Sequence, residues 1–339
     1  MKNKVFFRDI QSDLIRVVAM LCVIFVHMPP DGVEQFYTLL SLVFLSCNGL
    51  FFMLSGKYNL NFCGTSGKEY LNYYIKRGIS VLVPLFVYSF IIFLYSNYLL
   101  IPQKGIVSFW NAFIRFFLVE NASTHVWFVY SLIGMLLGAP FLSKMLRNLS
   151  EFELKLLIII GFLWELFSVV IVQYFMGLTF TFGGWFMTSW VFYFILGYSV
   201  DRLVKEKNLK LLYLLGVGSL IVTVVQYKYI PQFRSNITDL SPVYTIVVIS
   251  IYLFLQHICI IRNGTIKWLI SVFAKYSFGI YFIHPTVIAE VRKVISTNLT
   301  DSSVVIFILR FAVTLIISFA LAVGVDTLLI KPLKSKRLN

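Results

Sequence analysis

The chain has 339 residues, 59% of them hydrophobic, 17% aromatic and only 13% charged, with a formal net charge of +14. Soluble domains carry about 25% charged residues, so the composition excludes an ordinary soluble enzyme and points to a polytopic membrane protein. The basic excess does not make a nucleic-acid surface, because Lys and Arg fall in short clusters between apolar segments, as topology signals do.

Ten spans are predicted in chain order, over 12–28, 38–56, 78–101, 126–146, 156–174, 178–200, 211–229, 242–261, 268–289 and 303–330. The expected fold class is all-α, a membrane bundle of about ten transmembrane helices forming one domain over 1–339. Residues 102–125 read as a loop. The first apolar segment lacks a small-residue cleavage site and stays as the first helix. With the N-terminus in the cytosol, twenty of the Lys and Arg residues fall on inside segments. Six fall outside: Lys104, Arg115, Lys228, Arg234, Arg292 and Lys293. This asymmetry places both termini in the cytosol. Cys22, Cys47, Cys63 and Cys259 have no ligand spacing, so neither a metal site nor a disulfide framework is expected.

The first span, "RDIQSDLIRVVAMLCVIFVHMPP", carries four residues that lipid rejects. At about 100° per residue, Asp9, Asp13, Arg16 and His27 share one stripe roughly 60° wide. Arg16 and His27 are eleven residues apart, so one sits about 16 Å above the other along an ideal helix. Such a stripe faces protein or a water-filled path, since a charge at the centre of a membrane helix costs roughly 2.5–3.5 kcal/mol on insertion scales. A plainer reading pairs Asp13 with Arg16 at i, i+3 at the interface.

These residues resemble the start of the membrane-bound acyltransferase family 3, surface polysaccharide O-acetyltransferases among them. The family pattern is an Arg, ten residues and a His, led by D-x-x-R. Asp13-Leu14-Ile15-Arg16 and His27 match it. Asn48-Gly49-Leu50-Phe51-Phe52-Met53-Leu54-Ser55-Gly56 resembles the family's second-helix segment, with Lys57 where an aromatic residue is usual. Tyr74-Ile75-Lys76-Arg77 through Pro84 resembles the basic start of the third helix, with Ser80 in place of a second Arg. His125-Val126-Trp127-Phe128 through Pro140, and Tyr276 through Pro285 with His284, resemble two later segments. The resemblance covers helices 1–4 and 9; helices 5–8 match mainly in hydropathy.

The resemblance implies an O-acyltransferase, most often an acetyltransferase, moving an acyl group from cytosolic acetyl-CoA to a hydroxyl of an envelope polysaccharide or lipid-linked glycan. It implies His27 as general base and Arg16 as essential, in a bacterial plasma membrane. A histidine suits proton removal near neutral pH. His27, His125 and His284 fall at similar depth near the outer face, whereas His257 lies deep in the eighth span and reads as structural. Lys76 and Arg77 are the expected contacts for the phosphates of acyl-CoA, or else orientation anchors. His125, Trp127, His284 and Arg310 are candidate substrate contacts, and Trp127 also suits the interfacial aromatic belt. Arg310 and Glu165 are intramembrane charges, functional candidates or an ion pair that fixes packing. Ser55-Gly56 reads first as a small-residue packing site. No metal and no nucleic acid is expected; membrane lipids and a further copy of the chain are possible partners. The alternative function is a glycan exporter or flippase with a polar central path.

Overall fold

The computed structural model describes residues 9–119, 125–178, 189–230, 241–257, 259, 261–295 and 302–335. They form helices α1 (Ile10–His27), α2 (Glu34–Phe44), α3 (Cys47–Asn59), α4 (Gly67–Asn97), α5 (Leu100–Leu118), α6 (Trp127–Asn148) and α7 (Glu151–Glu165). These are followed by α8 (Ser189–Leu203), α9 (Leu209–Tyr229), α10 (Pro242–His257), α11 (Gly264–Val294), α12 (Ser303–Val325) and α13 (Lys331–Ser335). Among the described residues there is no strand. Within the described residues eight helical stretches are long and apolar enough to cross a membrane, and α10 is a shorter apolar helix. The protein is an all-α, multi-pass membrane protein. Large apolar side chains stay exposed along these stretches, such as Phe152, Leu214 and Ile316, as a lipid-facing surface requires.

The predicted boundaries need two corrections. The span 38–56 lies within one membrane-crossing stretch, Glu34–Asn59, but is broken into α2 and α3 at Leu45 and Ser46. Residues 102–118 are not loop but most of α5. Of the span 178–200, Leu178 is not helical, 179–188 lie outside the described residues and 189–200 fall in α8. Two spans end in wider turns: α7 continues as a π-helix over Leu166–Phe175, and α12 over Asp326–Ile330.

Local chemistry sets the helix ends. The carboxylate of Asp9 accepts from the backbone amides of Gln11 and Ser12 and from the Ser12 hydroxyl at 2.6 Å, capping α1. Helix α1 stops just before Pro29, where the preceding residue is driven out of the helical region. Ser66 with Glu69, and Ser150 with Glu153, close reciprocal capping boxes on α4 and α7.

The chain divides into two compact units. The first takes Met1–Val26, Glu34–Phe62 and Phe141–Lys275; the second takes His27–Val33, Cys63–Pro140 and Tyr276–Asn339. In the first, α3 crosses α8 with no room for side chains at the contact. A Cβ on Gly56 would lie 1.8 Å from the Phe194 carbonyl oxygen, and one on Gly197 1.8 Å from that of Met53. The Ser55-Gly56 pair is therefore the packing site its small residues suggest. Gly56→Ala should destabilise the protein by about 1–3 kcal/mol through overpacking. Gly67→Ala, with nothing within 4 Å, should be silent. Thermal unfolding of the detergent-solubilised protein separates the two; equal midpoints would contradict the crossing.

In the second unit, Tyr73 and Tyr74 of α4 donate to the carbonyls of Leu136 and Leu137 on α6. Tyr88 donates to Asp326 at 2.7 Å, tying α4 to the π-helical end of α12. Helix α5 lays Phe109 and Phe113 against Phe93 of α4. It turns at Gly105, whose φ of 83° and ψ of 165° suit a residue without a Cβ.

Candidate active site

The second unit gathers three of the four histidines. The ring centroids of His27 and His284 are 5.2 Å apart, those of His125 and His284 5.5 Å, and those of His27 and His125 6.3 Å. Three segments deliver them: the end of α1, the turn before α6 and the middle of α11. Carbonyl partners fix two of the rings. His125 Nε2 lies 3.1 Å from the Phe282 oxygen, and His284 Nδ1 lies 2.7 Å from the Tyr281 oxygen. A carbonyl only accepts, so each of those nitrogens carries the proton. In the neutral ring the opposite nitrogen is then a lone-pair acceptor. For His284 that nitrogen, Nε2, is buried and has no partner among the described residues. Tyr281 in turn donates to the carbonyl of His125.

The three rings differ in access. His284 is 0% exposed and His125 5%, while His27 is open to the outside of the protein. Burial first, then the charge of His27, pushes His125 down to about 4 against the pull of the Phe282 carbonyl. It therefore stays neutral at physiological pH. The arrangement is one reachable imidazole backed by two that are oriented by the main chain. Among the described residues no group of His, Cys, Asp and Glu is arranged to hold a metal ion.

Arg310 lies in the same unit but does not join the rings. It is 4% exposed. Its Nη1 pairs with Asp31 at 2.5 Å, and its Nε and Nη2 donate to the Ile295 carbonyl at 3.0 and 2.8 Å. Arg292 Nη2 reaches the same Asp31 carboxylate at 3.0 and 3.1 Å. Asp31 stands four residues after His27, at φ 24° beside Gly32 at φ 89°. The possible pairing of Arg310 with Glu165 is thus replaced by Arg310 with Asp31. Glu165, in the first unit, is 1% exposed and accepts from Thr245 at 3.0 Å, with Thr245 also bonded to Tyr193.

The first unit holds the other end of the α1 stripe. Asp13 is 3% exposed, so there the stripe faces protein. Arg16 Nη1 pairs with Asp13 at 3.0 Å, the i, i+3 pair of the plainer reading. Ser271 also donates to Asp13, at 3.4 Å. Beside it, Lys57 bridges Asp9 at 3.6 Å and Asp201 at 3.4 Å. Burial raises the Asp9 carboxyl, but the Ser12 hydroxyl, the Lys57 charge and the backbone amides outweigh it and hold it below the usual carboxylate range. Lys57, the departure from the aromatic pattern, therefore has electrostatic work that sequence reading missed.

The remaining candidates stand apart. Lys76 is exposed near the start of α4; Arg77 lies over the Tyr73 ring at 5.7 Å. Trp127 is half-buried as the first residue of α6, its ring 6.3 Å from that of Phe128. His257 is exposed at the last position of α10, not deep within a span, because α10 ends four residues earlier than the hydropathy implied.

A family model, that of the acyltransferase domain, matches residues 9–323. The chain belongs to acyltransferase family 3. The match begins at the residue that caps α1 and takes in all three clustered histidines, Arg16 and Arg310. A member of acyltransferase family 3 with these spanning helices is a membrane acyltransferase. No curated protein and no solved structure matches the chain.

Proposed function

We propose that this membrane acyltransferase moves an acetyl group from cytosolic acetyl-CoA to a hydroxyl of an envelope polysaccharide or lipid-linked glycan, with His27 as the general base. What carries the reading is the histidine triangle, in which the one accessible ring is backed by two whose protons are committed to carbonyls. A sugar hydroxyl is a poor nucleophile while it keeps its proton. His27 takes that proton as the hydroxyl oxygen attacks the thioester carbonyl carbon. The carbon–sulfur bond then breaks, the electron pair leaves on sulfur, and CoA departs as thiolate to be protonated.

His284 acts as a support for His27, through the lone pair its buried Nε2 keeps. In this reading both termini lie in the cytosol and the histidines near the outer face, as the positive-inside asymmetry favours, and the membrane is the bacterial plasma membrane that the family resemblance implies. On that orientation Lys76 and Arg77 serve the donor phosphates from the inner side. On the same orientation Arg16 lies toward the cytosolic end of α1, where its guanidinium suits a donor phosphate rather than the reacting carbonyl. Trp127 and His125 face the acceptor.

The test is mass spectrometry of envelope glycan from cells with and without the protein. Loss of ~42 Da substituents is expected, the mass an acetyl group adds when a hydroxyl becomes an ester. If ester content is unchanged but glycan export falls, the exporter reading replaces this one.

A further inference from the structure

We propose that an open pocket four residues beyond His27 is an oxyanion subsite, and that the acceptor is an acidic glycan whose carboxylate or phosphate binds there. The proposal deepens the acyl-transfer reading and rests on it for the reaction, but not for the binding. The pocket is lined by Asp31, Gly32, Arg292, Lys293, Ser303 and Arg310, with Ala289 beside them. Three segments build it: the turn after α1, the last two turns of α11 and the first two of α12. A Cβ on Gly32 would meet the Ser303 hydroxyl at 2.6 Å, so the turn lies directly on the start of α12.

The charges in this pocket do not cancel. Arg292, Lys293 and Arg310 face it against the single carboxylate of Asp31, which both guanidiniums share. Lys293 has a second carboxylate, Glu290, at 2.7 Å, and that leaves one positive charge over. Arg310 is fully used, with three nitrogens on Asp31 and Ile295. Arg292 is not: its side chain is 43% exposed and only Nη2 engages Asp31. Its free edge presents the flat donor fork that matches a carboxylate or phosphate. On the cytosolic-termini orientation, Arg292 and Lys293 are also two of only six Lys and Arg residues in outside segments. Membrane topology selects against such residues there, so adjacent ones converging on a pocket call for a reason beyond orientation.

The placement fits an acceptor rather than a donor. Arg292 is eight residues beyond His284 on α11, about 12 Å of helix rise. That span suits an oligosaccharide with its reacting hydroxyl at His27 and its anionic group on a neighbouring sugar. It does not suit an anion on the reacting carbon.

Fluorescence anisotropy tests this on the full chain in nanodiscs, without acyl-CoA. The probes are labelled tetragalacturonate, a phosphorylated tetrasaccharide, and the neutral tetrasaccharide made by reducing the carboxylates. At least one acidic probe should bind tenfold or more tightly than the neutral one, and that probe names the oxyanion. Arg292→Gln with Lys293→Gln should erase the preference and flatten its salt dependence, while Arg292→Lys should retain part of it. Equal binding of all three probes, or an unchanged preference in the double variant, overturns the subsite. Acidic binding without any ester formation would overturn the acyl-transfer reading and leave the subsite standing. Ester formation on neutral glycan without acidic preference would do the reverse.

Discussion

His27→Ala should abolish acetyl-ester formation while the chain still inserts and unfolds at its usual temperature. General-base assistance accounts for about 10²- to 10⁴-fold in rate, enough to take ester content below detection. Stability should hold because His27 is the accessible ring of the triangle and its removal opens no cavity in a packed core. His27→Gln is the sharper variant, as it keeps a hydrogen-bonding side chain of similar reach but cannot accept the proton. A path-lining residue in an exporter would tolerate glutamine; a base would not. Arg16→Ala should also stop transfer. It leaves the Asp13 carboxylate, buried in the first unit, with the Ser271 hydroxyl, so its effect must be read beside a stability measurement. Arg16→Lys keeps the charge but loses the planar fork, and partial recovery there would assign Arg16 to electrostatics rather than shape. Normal ester content in inserted His27→Ala protein would defeat the assignment.

What the sequence disclosed and what it hid follow from the reach of the interactions. Arg16 and His27 were legible because eleven residues is close to three helical turns, and α1 is one helix from Ile10 to His27. His125 and His284 were legible by depth alone: helix direction places both at the same end of their spans as His27, and the three rings do lie together. Helix α5 was hidden because Pro102, Gln103, Lys104, Gly105, Asn111 and Arg115 dilute its mean hydropathy. Its signal is periodic instead, with Phe109, Phe113, Phe116 and Phe117 on one face against α4. Asp31 was hidden more deeply. It lies in a turn after two prolines, where no helical period operates, and its partners are 261 and 279 residues away. Arg310 was recognisable as an intramembrane charge that needs a partner, but span-by-span reading offered only carboxylates within spans, Glu165 among them, and Asp31 lies between spans. Lys57 read as a lapse from an aromatic pattern because neither Asp9 nor Asp201 is its neighbour in sequence.

Arg310→Met should cost roughly 3–5 kcal/mol, the penalty for breaking a buried pair by removing one partner. Arg310 contributes to three separate contacts, and methionine keeps its length while supplying none of them. The Ile295 carbonyl loses both its side-chain donors, and the Asp31 carboxylate keeps only the half-exposed Arg292. Asp31 is 27% exposed, so water offsets part of the loss, and the lower half of the range is expected. Asp31→Asn alone should cost less, since Arg310 retains the Ile295 carbonyl and the amide oxygen still accepts. The double variant decides whether the pair itself matters: if the ion pair is the source, the two costs will not add. Chemical or thermal unfolding in detergent measures all three. Because Asp31 follows His27 by four residues, the slack introduced at the turn should also reach the ring, lowering transfer in Arg310→Met protein that remains folded. An Arg310→Met variant with unchanged stability would mean that the turn after α1 is held by its own backbone, with Val33 bonded to Pro30, and not by the arginine beneath it.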